Sequence, residues 1–251
     1  MSEDFTHRFT GRASDYSVHR PEYPGQILDI LKTEGGFNQD KTVADIGSGT
    51  GLLSRLFLQN GNKVFCVEPN DEMRSIAEQD LSRFPNFVSI KGRAEETTLK
   101  DSSVDLVTVG QALHWFDHRL AKKEFQRILR KNGEVCIVYN DRSEKDQFMR
   151  EYDSLVGRHA RNRAKVPEIN KAFLSSWFRN RMFKEFNLSN EQFLDLEGLA
   201  GRIMSASYMP SSSENEKFIA MKNDISHLFR LHAKTGKVRM LYNTRVFLGK
   251  I

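Results

Sequence analysis

Val43-Ala44-Asp45-Ile46-Gly47-Ser48-Gly49-Thr50-Gly51 decides how this chain is read. An apolar strand runs into three glycines at alternate positions. A strand that turns sharply into a helix with its amides bare needs positive-φ positions and backbone without Cβ atoms, and glycine supplies both. A phosphate-cradling loop would end in Gly-Lys-Ser/Thr, but Leu52 and Leu53 follow Gly51, so that reading fails. A dinucleotide fingerprint, Gly-x-Gly-x-x-Gly/Ala, would put its last glycine where Leu52 stands. This weakens the pyrophosphate reading without excluding it. Asp45, two residues before the first glycine, would repel a diphosphate and suits a cationic ligand better.

Outward from this loop, apolar runs alternate with helical periodicity. The sequence predicts strands over Thr42–Ile46, Lys63–Val67 and Phe87–Ile90, with helices over Leu52–Gln59 and Asp71–Arg83 between them. Such a βαβ rhythm implies a parallel sheet. Val104–Val109 reads as a fourth strand, Ala121–Leu129 as a helix closed by Gly133, and Gly133–Tyr139 as a fifth strand. After Asn140 the period changes: Phe148, Met149, Tyr152, Leu155 and Val156 recur at helical spacing behind Ser143 as amino cap. Glu216–His232 is a second late amphipathic helix, and alternation from Val238 to Leu248 marks an antiparallel strand at the sheet edge. Upstream, a polar and aromatic arm ends in Arg20-Pro21-Glu22-Tyr23-Pro24 and leads into a helix over Gly25–Thr33.

The 251 residues suit one large α/β core. Thirty-eight basic against 33 acidic residues give a net charge of +5, too mild to diagnose nucleic-acid binding. The excess is local: Arg150–Lys184 holds nine Arg or Lys against three acids. Such a run is either a solvated helix face or an anion-attracting surface. Cys66 and Cys136 fall inside strand-like runs, where a thiol behaves as a small core residue, so neither a disulfide nor a metal site is expected. No apolar run reaches membrane-span length and the start lacks a secretory pattern, so a cytoplasmic protein is expected.

In open α/β sheets, ligands bind outside the carboxyl ends of the strands where the topology reverses. Glu68, after the second strand, can accept from two vicinal ribose hydroxyls; helix capping is its alternative, because Asn70 and Asp71 follow. After the third strand, Glu95 can accept from an adenine amino group while the Ala94 amide donates to the ring. Backbone carbonyls near Gln111, after the fourth strand, can hold an ammonium group.

These motifs, over about residues 20–140, resemble class I S-adenosylmethionine-dependent methyltransferases, whose first motif is an acidic residue followed by Gly-x-Gly-x-Gly. The resemblance implies a Rossmann-like seven-stranded sheet, mostly parallel with an antiparallel edge strand and helices on both faces, plus a helical insertion after the fifth strand. It divides the chain into an arm and first helix (1–35), a cofactor-binding core (36–142), a helical insertion or lid (143–182) and a completion of the sheet (183–251). It implies S-adenosylmethionine as cofactor, held by Asp45, Gly47, Ser48, Gly49, Gly51, Glu68, Pro69, Met73, Ala94, Glu95, Gln111 and Ala112. The stretch His114-Trp115-Phe116-Asp117, the arm's Asp15-Tyr16 with Arg20–Pro24, and the late segment Glu197-Gly198-Leu199 with Gly201-Arg202 and Ser205–Pro210 resemble a small-molecule branch that includes trans-aconitate methyltransferase-like enzymes.

Methyl transfer from a sulfonium needs alignment and water exclusion, not a covalent catalyst. A carboxylate acceptor is already ionised at neutral pH, whereas a protic acceptor needs a base. His114 is the candidate base, with a packed wall residue as the alternative. Tyr16, Arg20, His114, Trp115, Tyr139 and Tyr208 are the candidate acceptor contacts; core packing is the alternative for the aromatics and a surface ion pair for Arg20. The expected partner is a small, carboxylate-bearing methyl acceptor, with no membrane and no nucleic acid. RNA or protein docking on the basic insertion is the competing reading, lowered by Gln111-Ala112-Leu113-His114 standing where base-amino methyltransferases carry Asn/Asp-Pro-Pro-Tyr. A binding module or a nicotinamide dehydrogenase on the same sheet is a third.

Overall fold

The computed structural model describes residues 19–160, 170–179, 182–206, 208–210 and 214–251. Its elements, in chain order, are α1 (Gln26–Gly35), β1 (Thr42–Ile46), α2 (Leu52–Gln59), β2 (Lys63–Val67), α3 (Asp71–Leu81), β3 (Phe87–Ile90) and β4 (Val104–Gly110). There follow a 3-10 turn (Leu113–Trp115), α4 (His118–Ile128), β5 (Leu129–Arg142), α5 (Gln147–His159), α6 (Lys171–Trp177), β6 (Lys184–Leu194), α7 (Leu196–Met204), α8 (Asn215–His232) and β7 (Val238–Gly249).

One seven-stranded sheet runs β3-β2-β1-β4-β5-β7-β6. The first five strands are parallel, and β7 lies antiparallel to both β5 and β6. The strand Val238–Gly249 is therefore not the edge expected from its alternation; it sits between β5 and β6, and β6 is outermost. Lys184–Leu194 escapes a sequence reading because its polar residues, Asn187, Ser189, Asn190, Glu191 and Gln192, bury little surface on an edge. The order reverses at β1, which has β2 on one side and β4 on the other, and the glycine stretch begins where β1 ends.

Both faces of the sheet carry a core. Val104, Val107, Val109, Phe125, Ile137 and Trp177 pack on one side, and Ile27, Leu31, Leu53, Phe57, Val64 and Val138 on the other. A third cluster joins α5, α7 and α8 to the far ends of β6 and β7 through Tyr152, Leu155, Leu199, Ile225 and Met240. The segment 143–182 divides between two of these cores, since α5 enters the third cluster while Leu174 and Trp177 of α6 enter the first. Among the described residues no helix is long and apolar enough to cross a membrane.

Two expected helix ends move. The Oδ1 atom of Asp146, not Ser143, caps α5 by accepting from the Met149 amide at 2.8 Å. Helix α4 ends at Ile128 by passing directly into β5, so Gly133 is no cap. Gly133 is instead a place of close approach, where a Cβ would come within 2.7 Å of Leu129.

Gly51 ends the glycine run at φ 81°, and a Cβ there would press on the Leu81 side chain and touch Ala77. Gly51→Ala combines left-handed strain with that overlap, so unfolding free energy is expected to fall by about 2 kcal/mol. A chemical-denaturation midpoint equal to wild type would contradict this placement of α2 on α3.

Candidate functional site

Local chain geometry opens one cleft at the carboxyl ends of β1, β2 and β4. Gly47 and Gly49 take φ of 66° and 58°, so the loop leaves β1 and feeds α2 without side chains in the way. A Cβ on Gly47 would sit 2.8 Å from the Ala112 methyl, closing the gap between the first loop and the end of β4. Asp45, Gly47, Ser48, Gly49, Glu68, Pro69, Met73, Ala94, Glu95, Gln111 and Ala112 line this cleft together. Gly51 faces α3 instead.

The Glu68 carboxylate braces the loop. Its Oε2 accepts from the Gly49 amide at 2.9 Å and its Oε1 from the Asn70 amide at 2.9 Å. Helix capping is done by Asn70, whose Oδ1 accepts from the Met73 amide at 3.0 Å. Burial raises the Glu68 pKa most; the two backbone bonds pull it down, Asp45 pushes it up and Arg74 pulls it down. Asp45 is 1% exposed and accepts from the Ser54 hydroxyl at 2.6 Å and the Thr108 hydroxyl at 3.0 Å. Burial outweighs those hydrogen bonds, and its carboxyl is pushed up to about 6. Two carboxyls reluctant to ionise thus flank one glycine loop, an arrangement that favours a cationic ligand.

At the far wall, Glu95 Oε1 accepts from the Asp117 amide at 2.7 Å, which ties the loop after β3 to the cap of α4. Gln111 adopts φ 58°, donates through its amide to the Val138 carbonyl at 3.0 Å, and through Nε2 to the Asn140 carbonyl at 3.0 Å. A non-glycine residue held left-handed at the end of a strand is a strained backbone position of the kind found at ligand sites.

Of the acceptor candidates, Trp115 lines the cleft. The His114 ring stands 4.4 Å from Trp115, centroid to centroid, and its Nδ1 lies 3.4 Å from the buried Tyr139 hydroxyl. Burial, the largest influence, raises the Tyr139 pKa, so this phenol stays protonated and can donate to His114. Arg20 lines a second, polar cleft with Glu22, Arg55, Asn190 and Gln192, and this cleft shares Tyr23 and Leu52 with the first. Tyr208 packs against the third cluster, apart from the others. Tyr16 lies outside the described residues.

Tyr23 also lines the cleft, a position that no sequence motif assigns to it. A Cβ on Gly110 would sit 2.7 Å from its hydroxyl, so the ring reaches the end of β4 only because that residue is glycine. The proline on each side, at 21 and 24, is the sequence signal of a rigid entry, but nothing local says where it points. Phe116, Thr50 and Asn70 also line the cleft.

The cleft fits an adenosyl sulfonium. Ser48 Oγ and Thr50 Oγ1, both among its lining residues, are buried with no hydrogen-bond partner among the described residues, donors or acceptors that a polar ligand would satisfy. Carboxylates stand where ribose hydroxyls and cationic groups can meet them.

Comparison with known proteins agrees with this geometry. Residues 44–137 match the model of a methyltransferase domain family. An uncharacterised methyltransferase of Mycobacterium tuberculosis is 35% identical over 168 residues, which is 66% of this chain and 66% of that protein, just under two thirds of its length. A methyltransferase-like protein of Schizosaccharomyces pombe is 28% identical over 95% of this chain and 93% of its own. In fold, a structure from Anaeromyxobacter dehalogenans assigned as a type II methyltransferase superposes with a TM-score of 0.68 at 19% identity, covering 92% of this chain and 97% of that one. With the glycine loop after β1, Glu68 after β2 and the seven-stranded order all in place, residues 44–137 are a methyltransferase domain, and the chain is similar in sequence and fold to methyltransferases along most of its length.

Proposed function

We propose that this protein transfers a methyl group from S-adenosylmethionine to a small, carboxylate-bearing molecule in the cytoplasm. The observation that carries the first half is the Glu68 carboxylate seated on the Gly49 amide at the reversal of the sheet, beside the two unsatisfied hydroxyls of Ser48 and Thr50. Bound there, the cofactor supplies an electrophilic methyl group, open to in-line displacement by an acceptor oxygen. Glu68 would hold the ribose hydroxyls, Ala94 and Glu95 the adenine edge, and the carbonyl of Gln111 with Ala112 the methionine end. Tyr23, Trp115 and Phe116 would exclude water and align the acceptor. A structure of a Haemonchus contortus phosphoethanolamine N-methyltransferase, 16% identical and with a TM-score of 0.56, contains S-adenosylhomocysteine; it covers all of this chain, which spans 60% of that one.

A carboxylate acceptor is already a nucleophile at neutral pH, so orientation is the remaining task and no base is needed. Arg20 supports this half, because its cleft adjoins the cofactor cleft at Tyr23 and Leu52. Arg20→Ala is expected to raise KM for the acceptor about 10-fold with S-adenosylmethionine affinity unchanged, the signature of a lost charge-assisted contact. A protic acceptor would call on His114 and its Tyr139 contact instead.

Docking of a macromolecule is less well supported. Within the basic run, Arg158 pairs with Asp224, Lys184 with Glu34, and Arg150 donates to the carbonyls of Glu144 and Lys145. Calorimetry tests the reading directly: S-adenosylmethionine and S-adenosylhomocysteine should bind and NAD should not. Binding of NAD alone, or RNA binding that falls steeply with salt, would overturn it.

A further inference from the structure

Arg202 on α7 is 5% exposed, yet no carboxylate lies against it among the described residues. Its Nε donates to the Tyr242 hydroxyl at 3.3 Å, and Tyr152 and Tyr208 lie within electrostatic reach of it. A guanidinium has five donors and cannot shed its charge, so burying one against phenols alone is unfavourable. Arg142, at the end of β5, lies within electrostatic reach of it and stands over the Tyr152 ring at 5.5 Å. The Nε of Arg142 is held by Asp153 at 2.8 Å. Among the described residues, Asp153 pairs with Arg142 and no carboxylate pairs with Arg202, so the cage keeps an excess positive charge. Arg142 is half-buried and Tyr208 likewise, so the cage is not sealed.

Its position links it to both clefts. Arg142 is two residues beyond Asn140, about 7 Å along the strand, and the Asn140 carbonyl accepts from Gln111 of the cofactor cleft. On the other side, the Tyr242 hydroxyl donates to Gln192 Oε1 at 3.3 Å, and Gln192 lines the polar cleft with Arg20 and Tyr23. Arg142 and Tyr242 face each other across β5 and β7.

We propose that Arg202 and Arg142, with the hydroxyls of Tyr208 and Tyr242, form a subsite for a carboxylate of the methyl acceptor remote from the methylated atom. This rests on the methyltransferase reading above and adds a second anionic group to the acceptor. Specificity then lies in α7, β7 and the last residue of β5, and a diacid is distinguished from its monoester by the buried cage.

The test is calorimetry on the full chain saturated with S-adenosylhomocysteine, titrated with glutarate, adipate, their monomethyl esters and glycerol phosphate. Wild type should bind a diacid more tightly than its ester. Arg202→Met should lose on the order of 100-fold in diacid affinity while ester and S-adenosylhomocysteine binding stay unchanged, and Arg202→Lys should recover part of it. Should R202M fail to fold, as judged by circular dichroism, R142M reads the same preference. Equal binding of diacid and ester by wild type, no diacid binding, or loss of all ligands together in R202M would assign the cage to core structure. Preference for glycerol phosphate would make it a phosphate subsite and overturn the carboxylate assignment. Failure of S-adenosylhomocysteine to bind at all would instead remove the methyltransferase reading, and this proposal with it.

Discussion

Glu68→Ala is expected to weaken S-adenosylmethionine binding by on the order of 100-fold, because it removes an ionised acceptor for two ribose hydroxyls and each charge-assisted bond is worth more than a neutral one. The carboxylate already accepts from Gly49 and Asn70, so the substitution also strips the glycine loop of its brace. Glu68→Gln separates the two effects. The amide keeps one acceptor for the loop but loses the charge, so its affinity should fall between wild type and Glu68→Ala while thermal stability stays near wild type. Calorimetric titration with S-adenosylmethionine gives the affinities, and unchanged binding in Glu68→Ala would end the ribose assignment.

The prediction also shows why this half of the site was readable from sequence. A positive-φ glycine, a carboxylate at a strand end and the run of residues between them are local facts, and the parallel sheet converts that spacing into proximity. Val67 pairs with Ile46, so Glu68 arrives beside Gly47 by register alone. Strand boundaries over β1 and β2 were legible for the same reason, since buried parallel strands are largely apolar runs, and half-buried β3 still carries Phe87, Val88 and Ile90.

The acceptor side was not legible in this way. The sequence offers Arg20, Tyr139 and Tyr208 as contacts of one acceptor pocket, whereas they stand in a second cleft, beside His114 and against the third cluster, respectively. Aromatic and cationic residues carry no periodic signal of where they point. Their neighbours come from β6 and α7, elements whose polar or short sequences hid them. Asn190 and Gln192 of β6 hold the arm in place by donating to the carbonyls of Glu22 and His19 at 2.8 and 3.2 Å, contacts across more than 160 residues of chain. No spacing rule reaches that far. Arg202 shows the same gap: the sequence marks it only as part of a late segment resembling the small-molecule branch, and its burial is what the structure adds.

Asp45→Asn is expected to stabilise the ligand-free protein at neutral pH by on the order of 3 kcal/mol, about 1.4 kcal/mol for each unit of pKa shift. Asp45 titrates near 3.8 when unfolded and is pushed up to about 6 when folded, chiefly by burial. The folded state therefore holds the proton more tightly. That contribution is fully present below pH 3.8, is lost as pH rises to about 6, and leaves an ionised, buried carboxylate above it. Asparagine keeps the shape and carries no charge, so the two proteins should have equal stability near pH 3.8 and diverge as pH rises. A cationic ligand works in the opposite direction by favouring the ionised form, so wild-type affinity for S-adenosylmethionine should rise with pH through 6. Asp45→Asn should flatten that slope. Thermal unfolding of both proteins across this range, with and without S-adenosylmethionine, measures each half. A ligand-free Asp45→Asn protein less stable than wild type at neutral pH would mean that the Ser54 and Thr108 hydroxyls more than offset the burial of the charge. In that case Asp45 would be a structural anchor of the loop and not a charge held in reserve for the cofactor.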